Sequence, residues 1–283
     1  MQHPAISPGR VAVITGGASG IGLASAMALA RLGMKLVLAD LDGPGLADAQ
    51  GKVAAIAGDD GVMALPTDVS RPGDLKQLRD ATISRFGDVA LLMNNAGTEG
   101  GGQLSGDPAR WRRIIEVNLW GVINGVQAFV PLLQAQGRAA AVVNTGSKQG
   151  ITCPPGDTAY NVSKAGIKVV TEALAHDLRQ VPGNQVTAHL LIPGFTHTGF
   201  TRAETKPDAA WSAAQVADFM LQGMAAGDFY ILCPDNAVSR RVDEVRIAWA
   251  AGDIIENRPA LSRWHPDWAG PFGKALDNGL NKP

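Results

Sequence analysis

Tyr160 and Lys164 stand four residues apart in Thr158-Ala-Tyr-Asn-Val-Ser-Lys164, a stretch with helical periodicity. That spacing puts both side chains on one helix face, one turn apart. A free tyrosine titrates near ~10, too high for a base at neutral pH. A neighbouring ammonium favours the phenolate and lowers that value, which suits the pair to proton exchange with a hydroxyl or carbonyl oxygen. Ile167, Val170, Leu174 and Leu178 supply the core-facing stripe of the same helix, which leaves Tyr160 and Lys164 without a packing duty. A lone Tyr/Lys pair also occurs on ordinary helix surfaces, so the neighbours of this one decide its meaning.

A second chemistry lies in Thr15-Gly16-Gly17-Ala18-Ser19-Gly20-Ile21-Gly22. Glycines allow a tight turn and a close approach of backbone to a pyrophosphate. The helix that follows aims free N–H groups and a favourable dipole at that anion. Glycine turns also arise for conformational reasons alone, but this one separates a first apolar run from a first helical segment, where a dinucleotide site needs it. The second apolar run ends in Asp40. A carboxylate there accepts hydrogen bonds from the adenosine ribose and repels a 2′-phosphate. Leu41, Asp42 and Ser19 offer that phosphate no cation. The expected cofactor is NAD and not NADP; the alternative is an Asp that merely caps a strand end. An oxidised nicotinamide would also favour the Tyr160 phenolate. Asp68-Val69 and Asn95-Ala96-Gly97 follow the third and fourth runs, on the edge where open α/β sheets bind ligands. Asp68 can meet the adenine and Asn95 to Gly97 the adenosine side, or either can be an Asx turn.

Ser147 lies thirteen residues before Tyr160, just past the fifth apolar run, and Asn118 sits in Val117-Asn-Leu-Trp-Gly121 on an expected central helix. With the glycine turn, the Asn94-Asn-Ala-Gly97 loop and Pro193-Gly194, this order and spacing resemble the short-chain dehydrogenase/reductase family over roughly residues 8 to 200. The resemblance implies an NAD-linked interconversion of a secondary alcohol and a ketone. It implies Tyr160 as general acid/base, and Lys164 as the residue that binds the nicotinamide ribose and depresses the Tyr160 pKa. Ser147 would hydrogen-bond the substrate oxygen and steady a developing alkoxide. Asn118 would hold a water linking Lys164 to solvent. Gly16, Ser19, Gly20, Ile21 and Gly22 would form the pyrophosphate turn, and Pro193, Gly194 and Thr198 would flank the nicotinamide. A homodimer or homotetramer is implied as well, packed through helices over Asp107–Leu133 and Ala159–Gln180.

These residues need a frame, and the pattern supplies one. Short apolar, β-branched runs fall at Val11–Thr15, Lys35–Asp40, Val62–Pro66, Val89–Asn94, Ala139–Thr145, Gln185–Ile192 and Phe229–Cys233. Helical segments separate them at Ile21–Leu32, Leu46–Ala57, Asp74–Phe86 and Ala159–Leu178. Asp157 or Thr158 is the expected N-cap of the last. Alternation predicts βαβ units, and continuous apolar strands predict helices on both faces. The expected fold is α/β, a Rossmann-type doubly wound parallel sheet of about seven strands. The 283 residues suit one NAD-binding domain, with 195–226 as a substrate loop or lid and 234–283 as a C-terminal extension. Helices are expected at Ser212–Met224 and around Ser239–Ala251.

Composition excludes other classes. Net charge is −1 with 18% charged residues of mixed sign, which offers no basic stripe to a nucleic acid. The two cysteines, Cys153 and Cys233, have no metal-ligand spacing, so no metal is expected. Met1 to Arg10 does not read as a signal peptide and no apolar run reaches ~18 residues, so a soluble, cytoplasmic protein without a membrane partner is expected.

The substrate side is less determined. Candidates are Thr98, Gln149, Cys153, Phe195 and Phe200, with Glu99, Lys148 and His197 as solvated loop residues or polar contacts. Nearly fifty residues follow Cys233 where many family members stop. That long end is more similar to relatives of the lignin-pathway Cα-dehydrogenases, which suggests a bulky hydrophobic or aryl alcohol. Steroid or 3-hydroxyacyl substrates are the alternative, and a non-catalytic NAD-binding regulator is the alternative from another class. Trp264, Trp268 and Phe272 are expected to pack on the protein itself, or else on an apolar pocket or a partner subunit.

Overall fold

A computed structural model describes residues 2–100, 102–199 and 205–281. Phe200, Arg202 and Glu204 lie outside the described residues. Each expected apolar run forms a strand: β1 (Val11–Thr15), β2 (Lys35–Asp40), β3 (Val62–Pro66), β4 (Leu91–Asn94), β5 (Ala140–Thr145) and β6 (Val186–Ile192). Two short strands follow, β7 (Thr196–His197) and β8 (Trp211–Ser212), and then β9 (Tyr230–Leu232). Among the described residues, seven strands make one parallel sheet in the order β3-β2-β1-β4-β5-β6-β9, and β7 and β8 pair separately. The order reverses beside β1, where β2 lies on one side and β4 on the other. Above that switch point the loops diverge and leave a cleft.

Alternate strand residues feed two cores. Ile14, Leu36, Leu38, Met93, Val143 and Leu191 face α1 (Gly20–Arg31), α2 (Pro44–Ala57) and the later helix α8 (Ala213–Ala226). Val11, Val13, Val37, Leu92 and Val142 face α3 (Pro72–Phe86), α5 (Gly121–Ala135) and α7 (Thr158–Gln180). Full burial of one such Leu, Ile or Phe contributes about 1.5–3 kcal/mol, so both faces hold the sheet rigidly beneath the cleft. Pro44 and Pro72 begin α2 and α3 two residues before the expected starts, because proline is pre-set for a first helical turn and lacks only an N–H that would be unpaired there.

The helix expected over Asp107–Leu133 is interrupted. α4 (Pro108–Ile114) runs into a π-helical turn at Ile115–Trp120 before α5 begins. Apolar spacing alone does not distinguish that one-residue widening from regular α-helix. Residues 149–152 form a short helix, α6 (Gln149–Thr152), which the sequence did not announce. The C-terminal extension is α9 (Arg240–Ile255) and α10 (Ala269–Leu280), so α9 outlasts its expected end at Ala251. The Arg258 guanidinium lies 4.0 Å from the Trp249 ring centre, and Trp268 and Phe272 meet that ring edge-on. These aromatics therefore knit the extension together.

Candidate active site

The glycine turn leaves β1 and enters α1 under tight steric control. A Cβ on Gly22 would stand 2.1 Å from the Gly16 carbonyl oxygen, and one on Gly16 would stand 2.8 Å from the Ala96 Cα. Gly16 and Gly20 also have φ of +65° and +53°, a region that favours glycine. Asn95 fastens the turn: its Nδ2 donates to the Thr15 and Gly16 carbonyls at 3.2 and 3.3 Å. Thr15 Oγ1 accepts from the Asn95 and Ala96 amides. Thr198 rests on the Gly20 Cα, from which a Cβ would lie 3.2 Å from its methyl.

Asp40 ends β2 at the cleft. Its Oδ2 accepts from the Ala18 amide at 2.9 Å and its Oδ1 from the Leu41 amide at 2.8 Å, so the carboxylate is fixed to the glycine turn with lone pairs to spare. Asp68 Oδ1 accepts from both the amide and hydroxyl of Ser70, an Asx-type turn. Burial works against the Asp68 charge, but those bonds and Arg113 and Arg71 hold its carboxyl below the usual range.

On the opposite wall, Asp157 caps α7 by accepting from the Tyr160 amide. Tyr160 and Lys164 follow one turn apart, and Ser147 lines the same cleft, where its hydroxyl favours the Tyr160 phenolate. Ser147 Oγ also accepts from the Gln149 amide at 3.2 Å. α6 presses on α7 so closely that a Cβ on Gly150 would be 2.4 Å from the Lys164 carbonyl carbon. Lys164 is buried, and its Nζ donates to the Thr145 carbonyl at 2.8 Å and lies 5.5 Å from the Tyr160 ring centre. Burial lowers its ammonium to about 8.

The expected depression of Tyr160 is absent from the chain itself. Burial pushes the phenol up to about 12; the Ser147 bond opposes this, and the Glu99 and Asp157 carboxylates add to it. Lys164 is turned to Thr145 and does not offset the burial. The Asn118 side chain is committed to bonds within the chain. Its side chain spans Thr98, accepting from the amide and donating to the carbonyl, and donates to Ser163 Oγ at 3.1 Å.

These walls enclose a cleft of about 630 Å³. It is lined by Gly16, Ser19, Gly20, Ile21, Asp40, Asp68 and Val69, by Asn95, Ala96, Gly97, Ser147 and Gln149, and by Tyr160, Lys164, Pro193, Gly194, Phe195 and Thr198. Gly22 and Asn118 act behind this surface, and Thr98 and Cys153 are outside its lining. Glu99, Arg113 and Lys148 also line the cleft. The bracing by Thr15 and Thr145 carries no signal in the sequence, because each works through a partner distant along the chain.

Sheet order and cleft place the chain among doubly wound dinucleotide-binding proteins. Residues 10–209 match the family profile described as short chain dehydrogenase, and the chain belongs to that family. It is 32% identical to a 1-deoxy-11-beta-hydroxypentalenate dehydrogenase from Streptomyces exfoliatus, over 90% of this chain and 94% of the relative. It is 30% identical to a D-beta-hydroxybutyrate dehydrogenase from Rhizobium meliloti, over 71% and 76%. Among solved structures, it superposes on a short chain dehydrogenase/reductase from Burkholderia phymatum in complex with NAD with a TM-score of 0.80, at 34% identity over 90% of this chain and 96% of that one. Among the described residues, no helix is long and apolar enough to cross a membrane.

Proposed function

We propose that the protein is an NAD-dependent dehydrogenase that interconverts a secondary alcohol and a ketone, and that its substrate is bulky and hydrophobic or aryl. The observation that carries the reaction class is the convergence of Ser147, Tyr160 and Lys164 on the lining of one cleft, with Lys164 one helical turn beyond Tyr160. The residues fit NAD. Only glycine fits at Gly22 and Gly16, the fixed Asp40 carboxylate can accept from a ribose diol, and of the cleft's cations Arg113 already pairs with Asp68. Gly16 to Gly22 would hold the pyrophosphate, Asp40 the adenosine ribose, Asp68 and Val69 the adenine side, and Lys164 the nicotinamide ribose, with Pro193, Gly194 and Thr198 beside the ring. Bound NAD supplies the hydride acceptor at the carbinol carbon.

Ser147 orients the substrate hydroxyl, its own position set by the Gln149 amide. Tyr160 Oη takes the hydroxyl proton as the carbonyl forms, and returns it in the reductive direction. Lys164 Nζ, held on the Thr145 carbonyl, stands 5.5 Å from the Tyr160 ring centre. Phe195, 44% exposed at the cleft, gives the substrate side an apolar surface, which supports a bulky hydrophobic substrate over a small polar one. The same reading makes the chain one functional unit, with 195–226 covering the substrate. It also makes it a homodimer or homotetramer through α5 and α7, near which Trp120, Val162 and Val169 are exposed. The experiment is a panel of aryl, steroid and hydroxyacyl alcohols with NAD and NADP, followed by nicotinamide absorbance. Turnover of hydrophobic secondary alcohols with NAD is the expected result. A preference for NADP would refute the role of Asp40, and silence across the panel with tight NADH binding would favour a non-catalytic regulator.

A further inference from the structure

Lys148 follows Ser147 directly, yet its side chain turns away from the cleft's centre into a buried ion cluster. Its Nζ lies 3.2 Å from Asp235 Oδ2 and 2.5 Å from Asp243 Oδ2. Both carboxylate side chains are about 5% exposed or less, at 4% and 5%. Asp235 belongs to the turn after β9, and Asp243 to the first turns of α9. Asp235 is fully engaged: Oδ1 accepts from the Ala237 and Val238 amides, and Oδ2 also accepts from the Phe195 amide at 3.1 Å. Gly194 lies against this cluster, where a Cβ would stand 2.6 Å from Asp235 Oδ2 and 2.8 Å from Lys148 Nζ. The next residue, Asn236, holds the other end of the substrate-side segment: its Nδ2 donates to the Asp208 and Ala210 carbonyls and its amide to Ala209. Phe195 O then accepts from the Trp211 amide, which closes the β7–β8 pair.

We propose that Lys148, Asp235 and Asp243 form a positioning triad that sets the Ser147 loop and the Pro193–Phe195 segment relative to each other. Helix α9 thereby becomes part of what aligns the reacting groups. The proposal rests on the reading of Ser147 and Tyr160 given above. One cation between two buried carboxylates is tied to both, because removing the lysine would leave the carboxylates without it in a poorly solvated place. Burial pushes the Asp243 carboxyl up while Lys148 and then Arg246 draw it down; Lys148 Nζ is the nearer cation, at 2.5 Å, and Arg246 stands 3.9 Å from the other carboxylate oxygen. An anchor of this kind fixes geometry more than it adds stability.

Asp243→Leu tests it. The variant keeps the neutral Lys148–Asp235 pair and removes the tie to α9, together with the 3.9 Å Arg246–Asp243 pair inside that helix, so folding and melting temperature are expected to stay close to wild type. Turnover is expected to fall about tenfold or more with little change in KM for NAD, since small displacements at a reacting centre are costly. Hydrogen exchange of NADH-free protein is the second readout: amides in 193–199 and 205–212 should exchange about tenfold faster, with 16–22 unchanged as control. Asp243→Asn, which can still accept from Lys148, should restore most of both. Lys148→Met should quicken exchange in the same segments, and if it does not fold, Asp243→Leu decides alone. Unchanged exchange in Asp243→Leu, or faster exchange with unchanged turnover, overturns the triad. A wild type that oxidises no alcohol would instead overturn the functional reading, and the exchange data would still settle the triad.

Discussion

Replacing Lys164 by methionine separates chemistry from stability in opposite directions. Methionine matches the length of the lysine stem, so packing around α7 changes little. Burial moves the Lys164 ammonium from 10.5 to about 8. At about 1.4 kcal/mol per unit, keeping that charge in the folded chain costs about 3 kcal/mol. Below pH ~8 both folded and unfolded chains carry the proton, and the full cost is present. Between ~8 and ~10.5 the folded chain has released a proton that the unfolded chain still holds, so wild-type stability rises with pH and the cost disappears. The variant never bears it. It does lose the 2.8 Å bond to Thr145, worth about 1–3 kcal/mol when the carbonyl is left unpaired. Near pH 7 Lys164→Met should therefore melt level with wild type or up to several degrees higher, and near pH ~10.5 it should melt lower. The relative movement is roughly 6 °C or more, at ~2 °C or more per kcal/mol for a chain of this size. Scanning calorimetry across that range measures it, beside an NAD-linked assay in which turnover should drop at least ~100-fold. A stability difference that does not move between pH ~7 and ~10.5, or a variant that keeps its turnover, would refute the reasoning.

Tyr160→Phe should lower turnover by about 10²–10⁴-fold while NADH affinity, followed by fluorescence titration, changes less than about twofold; retained turnover would remove Tyr160 from the acid/base role. Asp40→Ala should weaken NAD by about tenfold or more, the value of hydrogen bonds to a charged group, and improve NADP. Asp40→Asn should do the same more mildly, because its side-chain oxygen can still accept from the Ala18 amide; a wild type that prefers NADP would contradict both. Gly22→Ala puts a methyl 2.1 Å from the Gly16 carbonyl, so the turn must open. Calorimetry should show a loss of about 1–3 kcal/mol and NADH titration should show weakened binding, whereas unaltered binding would mean that the turn does not carry the cofactor.

What the sequence disclosed and what it withheld differ in range along the chain. Apolar runs separated by helical periods announce the strands because burial on both faces demands an unbroken apolar strand, and that demand is local. The glycine turn and the Tyr160/Lys164 spacing are local too, and each came to the same cleft. The π-helical turn at Ile115–Trp120 was not legible, since one residue of widening leaves apolar spacing almost unchanged. The sign of the Tyr160 shift was also hidden: spacing predicts that Lys164 is near, but not that its Nζ turns to Thr145 while burial dominates the phenol. The Lys148–Asp235 pair joins residues 87 positions apart, and no period in either segment marks it. A cleft that aligns its groups through such distant pairs draws its chemistry from short motifs and its precision from contacts no motif records.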